Sequence, residues 1–299
     1  MFDAHCDTLL KVYKNGGSLG KNEYDVSFEK LAMYGRAAQL FAVFNKGDLS
    51  TSDIFNIIKL LKKETEASEI AQFCVTGDDV ENCKKPVAAL VSLESVGNTP
   101  DFKVDDLSAF YDLGVRILSL TWNHDNRFCG GISNNSSGLT DIGAEVVERI
   151  KELGMVLDVS HISDKGFFDV VETEGLKIVA THSNSRTVCA HNRNLTDEQF
   201  KIIVSRGGVV GLNFYPLFVN GTDNACVKDI IGHIEHFCSL GGEKNLGLGA
   251  DFDGIDYKMS DINSCEKMNI LFDELAKLNY SDEFIRGISY ENFRNFLKK

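Results

Sequence analysis

The chain has 299 residues, 43% hydrophobic and 25% charged, which suits a globular protein with a sizeable core. Its 31 basic and 44 acidic side chains leave a formal charge of −13, a surface that repels phosphate backbones and argues against nucleic acid as a partner. No run approaches the roughly 18 apolar residues of a membrane helix, and the start MFDAHCDTLL lacks a basic n-region and a cleavage site. The expectation is a cytoplasmic protein that does not use a membrane. With three prolines and no linker-like stretch, residues 1–299 are expected to form a single domain. The eight cysteines show no CxxC pair and read as free thiols.

In chain order, Phe2–Asp7 and Ala37–Phe44 are the first strand candidates. Ser52–Phe73 follows as a helix, with Ile54, Ile57, Ile58, Leu61 and Ile70 near helical spacing. Val87–Glu94 and Val115–Trp122 are the next strands, and Thr140 is placed to cap a helix over Asp141–Leu153. Met155–His161 and Ile178–His182 are strands again, and Thr196-Asp197-Glu198 opens another helix. Gly208–Phe214 and Leu246–Asp251 complete the strands; helices over Ser264–Leu278 and Asp282–Leu297 close the chain. Most strand candidates are rich in Val, Ile and Leu with little alternation, as parallel strands buried on both faces are. The strand–helix rhythm predicts an α/β fold of the (β/α)₈ TIM-barrel type. An open doubly wound sheet is the runner-up, but the first strand ends in His-Cys-Asp and not in a glycine-rich phosphate turn.

Several of the seven histidines fall at strand ends. His5 and Asp7 end the first candidate, Glu94 the third, His161 the fifth, His182 the sixth and Asp251 the eighth. Barrel active sites form at the C-terminal rim, so these potential metal ligands would converge on one opening. On a strand, residues two apart point the same way about 6.6 Å apart, so His5 and Asp7 can reach one ion. A carboxylate buried at the end of an apolar strand needs a partner or a metal, and one carboxylate can bridge two ions about 3.5–4 Å apart. No lysine ends a strand candidate, which makes Glu94 the candidate bridge. His161 and His182 supply the neutral imidazoles that zinc prefers. Each residue also has a plainer role. Asp7 could bond a backbone amide, Glu94 could pair with Arg116, and either histidine could be structural.

Taken together, DAHCDT, SLES, LTWN, LDVSH, THSNSR and GADFDG resemble, in order and spacing, the renal (membrane) dipeptidase family of zinc peptidases. The likeness runs from residue 2 to about residue 296. It implies a single catalytic barrel that hydrolyses dipeptides, including those with a C-terminal D-residue, by a metal-bridging hydroxide. It also implies two Zn²⁺ per chain, one on His5, Asp7 and Asp251, the other on His161 and His182, bridged by Glu94 and a water or hydroxide. Asp251 would also be the general base. Arg193 would bind the dipeptide carboxylate, as its bidentate fork allows; the plainer reading is an exposed loop arginine.

One position departs from the family. Where its members carry a histidine after Leu-Thr, thought to stabilise the tetrahedral intermediate, this chain has Trp122. His124 is the candidate replacement in catalysis and substrate binding; otherwise Asn123 or the metals alone polarise the carbonyl. The expected partner is a small dipeptide, and a homodimer is an admissible assembly. The alternatives are a two-metal barrel hydrolase of another amide, lactone or phosphoester, and a non-catalytic metal-binding protein.

Overall fold

The computed structural model describes residues 1–298. Its strands are β1 (Phe2–Cys6), β2 (Ala37–Phe44), β3 (Ala71–Phe73), β4 (Val87–Glu94), β5 (Ile117–Leu118), β6 (Val156–Asp158), β7 (Lys177–Val179), β8 (Val210–Leu212) and β9 (Leu246–Leu248). All pair in parallel, in the order β7-β6-β5-β4-β2-β1-β9-β8. A bridge between Ala180 and Val210 brings the two ends of that order together, so eight strands form the expected barrel.

β3 was not expected. The sequence predicts one helix over Ser52–Phe73, whereas the helix spans Thr51–Ala67 and the last residues form a strand. Ser68 ends the helix by accepting from Ile70 N at 3.1 Å and Ala71 N at 3.0 Å with its hydroxyl. Ala71–Phe73 then pairs with Val87–Ala89, the lower half of β4, while β5 meets β4 only at Ser92 and Leu93. Downstream, Thr140 Oγ1 accepts from Gly143 N at 3.0 Å, and Thr196 forms a reciprocal cap with Gln199. The segment expected as one helix over Asp282–Leu297 is interrupted at Gly287–Glu291 by a π-helical turn.

The barrel strands are shorter than their apolar runs because side chains take over the ladder near the rim. Asp3 Oδ1 accepts from Ala250 N at 2.9 Å and His5 N at 3.3 Å, tying the tips of β1 and β9. Asp158 Oδ1 accepts from Ser160 N and Thr181 N, each at 3.0 Å, tying the tips of β6 and β7. A register shift between Asp3 and Cys6 re-aims β1 just where His5 sits.

At the other end, Phe2, Ala38, Ala88, Ile117 and Val156 form one buried cluster with Phe293 and Leu297. The C-terminal segment thus closes the barrel floor, and Asn292 Nδ2 donates to Leu246 O at 2.8 Å. A larger buried layer joins the strands to the surrounding helices, among them Ile54, Ile57, Ile58 and Leu61 from Thr51–Ala67.

Gly211 and Gly249 let two strands approach the carbonyl of Thr181, with which a Cβ at either position would collide. Gly249→Ala should destabilise the protein by about 1–3 kcal/mol or more, as overpacking does. A urea melt checks this, and an unchanged midpoint would show that the strand tips are free to move apart.

Candidate metal centre

The strand ends bring His5, Asp7, Glu94, His161, His182 and Asp251 together inside the C-terminal rim, all of them buried or nearly so. His5 Nε2 lies 3.6 Å from Asp7 Oδ2, 3.4 Å from Glu94 Oε2 and 3.8 Å from Asp251 Oδ1. His161 Nε2 lies 2.9 Å from Glu94 Oε1 and 2.9 Å from His182 Nε2. The two oxygens of Glu94 therefore face different histidines. Ligand atoms of His5, Asp7 and Asp251 fall within 4.8 Å of one another, as do those of His5, Glu94 and His182.

Several observations show that this set fits metal ions. His161 Nδ1 faces Asn123 Oδ1 at 3.0 Å, and His182 Nδ1 faces Thr181 Oγ1 at 2.7 Å. Each Nδ1 is thereby satisfied, so the Nε2 atoms turn their lone pairs toward one point. Asp7 Oδ1 is buried without a hydrogen-bond partner. Burial opposes charge on His5, but Asp7, Glu94 and Asp251 outweigh it and push its pKa up to about 10. Burial pushes Glu94 up to about 8, against the pull of His5 and aided by Asp7 and Asp251. Burial likewise raises Asp251 to about 6. His161 is held well below the ordinary histidine range by burial and Arg193, and His182 by burial and His5. Three carboxylates and two unprotonated imidazoles around one spot form a donor set for divalent cations.

The backbone is shaped for this arrangement. Ser95, Asp251 and Asp253 have φ of 64°, 64° and 68°, a left-handed conformation uncommon outside glycine. It turns the chain sharply after Glu94 and aims Asp251 inward, where Asn213 Nδ2 donates to its Oδ2 at 2.9 Å.

Arg193 is buried beside the second pair of histidines and is not an exposed loop residue. Its guanidinium donates to Ser160 O and to His182 O, and Nη2 stands 3.0 Å from His161 Nε2. His124 stands apart. It is exposed, with Nδ1 3.1 Å from Ser133 Oγ, and a cavity of about 510 Å³ over the candidate ligands is lined by Trp122 and Asn123 but by neither His124 nor Arg193. Phe44 packs on Trp122 at 5.2 Å between ring centres, and Tyr215 on Phe218 at 4.8 Å; all four line the cavity. Asn123, Thr181 and Asn213 meet His161, His182 and Asp251, and Asp158 braces Thr181, roles that the sequence alone does not predict. Asp158 carried a signal, since a carboxylate in an apolar strand needs a partner just as Glu94 does.

A closed (β/α)₈ barrel with such a rim defines a metal-dependent hydrolase. The family model "Membrane dipeptidase (Peptidase family M19)" matches residues 1–299. An uncharacterized Klebsiella pneumoniae protein from the pqqA 5′ region is 32% identical over 240 residues, covering 76% of this chain and 88% of its own. The crystal structure of dipeptidase AC, a metallopeptidase, superposes with TM-score 0.88 at 25% identity, covering 99% of this chain and 97% of that one. A Rhodobacter sphaeroides metallopeptidase liganded with a phosphinate mimic of L-Ala-D-Ala superposes with TM-score 0.89 at 24% identity, over 99% and 97% of the two chains. The chain belongs to the membrane dipeptidase family and is a metal-dependent dipeptidase. All eight cysteines are free thiols, and among the described residues no helix is long and apolar enough to cross a membrane.

The site's protonation predicts how the chelated protein responds to pH. His5 rises from 6.5 to about 10 on folding and Glu94 from 4.5 to about 8, so the folded state holds protons that the unfolded state releases. His161 and His182, shifted downward, are neutral in both states above about pH 7 and no longer contribute. Burial lowers the Met1 amino group from 8.0 to about 5, which opposes this trend until the group is neutral in both states above about pH 8. Metal-free protein should therefore lose thermal stability as pH rises from about 8 to 9.5. Melting temperatures measured in chelator across that range check this; a rising trend would contradict the proton assignments.

Proposed function

We propose that the chain works as one catalytic unit holding two Zn²⁺, with His5, Asp7 and Asp251 on one ion, His161 and His182 on the other, and Glu94 bridging. The observation that carries this reading is the split of Glu94, whose Oε2 faces His5 at 3.4 Å and whose Oε1 faces His161 at 2.9 Å. When bound, the ions would polarise the peptide carbonyl and acidify a water. The chain's own groups do the rest. Asp251 takes the proton of the attacking water and returns it to the leaving amine. Asn213 holds the carboxylate of Asp251 in place for that exchange. Arg193 receives the dipeptide's terminal carboxylate in a charge-assisted contact. The substrate class extends to dipeptides with a C-terminal D-residue, consistent with the L-Ala-D-Ala mimic bound by the Rhodobacter sphaeroides protein. Asn123 lines the cavity whereas the exposed His124 packs on the outer side of Trp122, so the contact with the scissile carbonyl is assigned to Asn123 and the ions.

The metal count tests the bridge. Purified protein should hold two zinc ions per chain and lose activity to a chelator. Glu94→Gln should weaken both sites together, whereas His182→Ala should weaken mainly one. Full activity with a single bound ion would remove Glu94 from its bridging role.

Arg193 separates a dipeptidase from other two-metal hydrolases. A charge-assisted contact is worth about 1.5–3 kcal/mol and a buried carboxylate left unpaired costs more, so Arg193→Ala should lower kcat/KM for dipeptides roughly 10- to 1000-fold with both ions retained. C-terminally amidated dipeptides should be poor substrates of the wild type and lose little more in the variant. Equal cleavage of free and amidated dipeptides by the wild type would favour a hydrolase of another amide.

A further inference from the structure

Asp158, at the end of β6, is no member of the ligand set, yet it collects four donors beneath the rim. Oδ1 accepts from Ser160 N and Thr181 N at 3.0 Å each and from Ser160 Oγ at 2.6 Å. Oδ2 accepts from Thr181 Oγ1 at 2.5 Å. Thr181 has one hydroxyl proton, and this contact uses it. Across its other short contact, 2.7 Å to His182 Nδ1, the hydroxyl oxygen can then only accept. The ring proton therefore sits on Nδ1, and the Nε2 lone pair faces the ligand cluster.

We propose that Asp158 and Thr181 form a carboxylate–hydroxyl–imidazole relay that fixes His182 as an Nε2 donor and strengthens its hold on the metal. The proposal rests on the reading of His182 as a ligand and adds two positioning residues to it. As Nε2 donates to a cation, positive charge grows on the ring, and a carboxylate behind the hydroxyl stabilises that charge. His161 has no such backing, since its Nδ1 meets the neutral amide of Asn123 at 3.0 Å. The two histidines of one pair are thus unequal donors, His182 the stronger. Asp158 also bonds the amides of Ser160 and Thr181, so replacing it perturbs backbone as well as relay. Thr181 allows the two effects to be separated. Valine matches its shape and keeps the amide but lacks the hydroxyl; serine keeps the hydroxyl and lacks only a methyl.

The test is a titration of the full chain with Zn²⁺ alone, against a chromophoric chelator. Thr181→Val should bind one of its two zinc equivalents about 10- to 100-fold more weakly than the wild type. Thr181→Ser should return close to wild-type affinity, and Asp158→Asn should show the same selective loss as Thr181→Val. Melting of each chelated variant verifies that it folds. Wild-type affinity at both equivalents in Thr181→Val would overturn the relay. So would a loss in Thr181→Ser as large as in Thr181→Val, which would reduce Thr181 to a packing role. Because zinc is the only probe, these outcomes stand whether or not the wild type cleaves dipeptides; failure to cleave would sink the functional reading and leave the relay intact.

Discussion

Asp7, Glu94 and Asp251 share a small buried volume, and their mutual repulsion sets the terms for everything around them. Carboxylates withdrawn from water in this way must either keep a proton or have a cation among them, which is why burial and mutual charge raise Glu94 and Asp251 while the same field charges His5. The fold has to hold these groups in place before any cation arrives. It does so with two more buried carboxylates set one step back. Asp3 ties the tips of β1 and β9, which carry His5 and Asp251. Asp158 ties the tips of β6 and β7, which carry His161 and His182. Strained backbone at Ser95 and Asp251 then sits in surroundings stiff enough to maintain it.

The barrel was readable in the sequence because its signal is long and repeated. Each apolar strand run and each helical face obeys its own period, and several caps, such as Thr140 and Thr196, lie where their residue types predict. β3 escapes a reading that runs the helix of Ile54, Ile57, Ile58 and Leu61 on to Ile70; Ile70 falls on the opposite helix face from Leu61, and the hydroxyl of Ser68 marks the break. Strand ends were read too long for a related reason: an apolar run shows burial, but which partner an amide takes depends on a neighbour that is distant in sequence.

The same distinction runs through the site. His5, Asp7, Glu94, His161, His182 and Asp251 could be picked out singly, as costly groups at the ends of apolar strands, and the structure gathers all of them. Arg193 came only from family resemblance, since nothing in its loop announces that it folds back beneath the rim. Thr181 and Asn213 were out of reach because each acts through an adjacent strand or residue whose orientation no spacing reveals. His124 illustrates the converse. Two residues from Trp122 in sequence is near enough to suggest a substitute, but the chain turns outward after Asn123 and carries the ring to the surface.

The placement of the aromatic walls has an evolutionary consequence. Phe44, Trp122, Tyr215 and Phe218 line the cavity. Phe44 ends β2 directly opposite Glu94, Trp122 precedes the Asn123 that meets His161, and Tyr215 N donates to the Asn213 that meets Asp251. The parts that shape what enters are therefore carried on the same short segments as the parts that hold the reactive centre. A lineage can redraw its diet by exchanging these rings one for another, but not by moving the backbone that bears them.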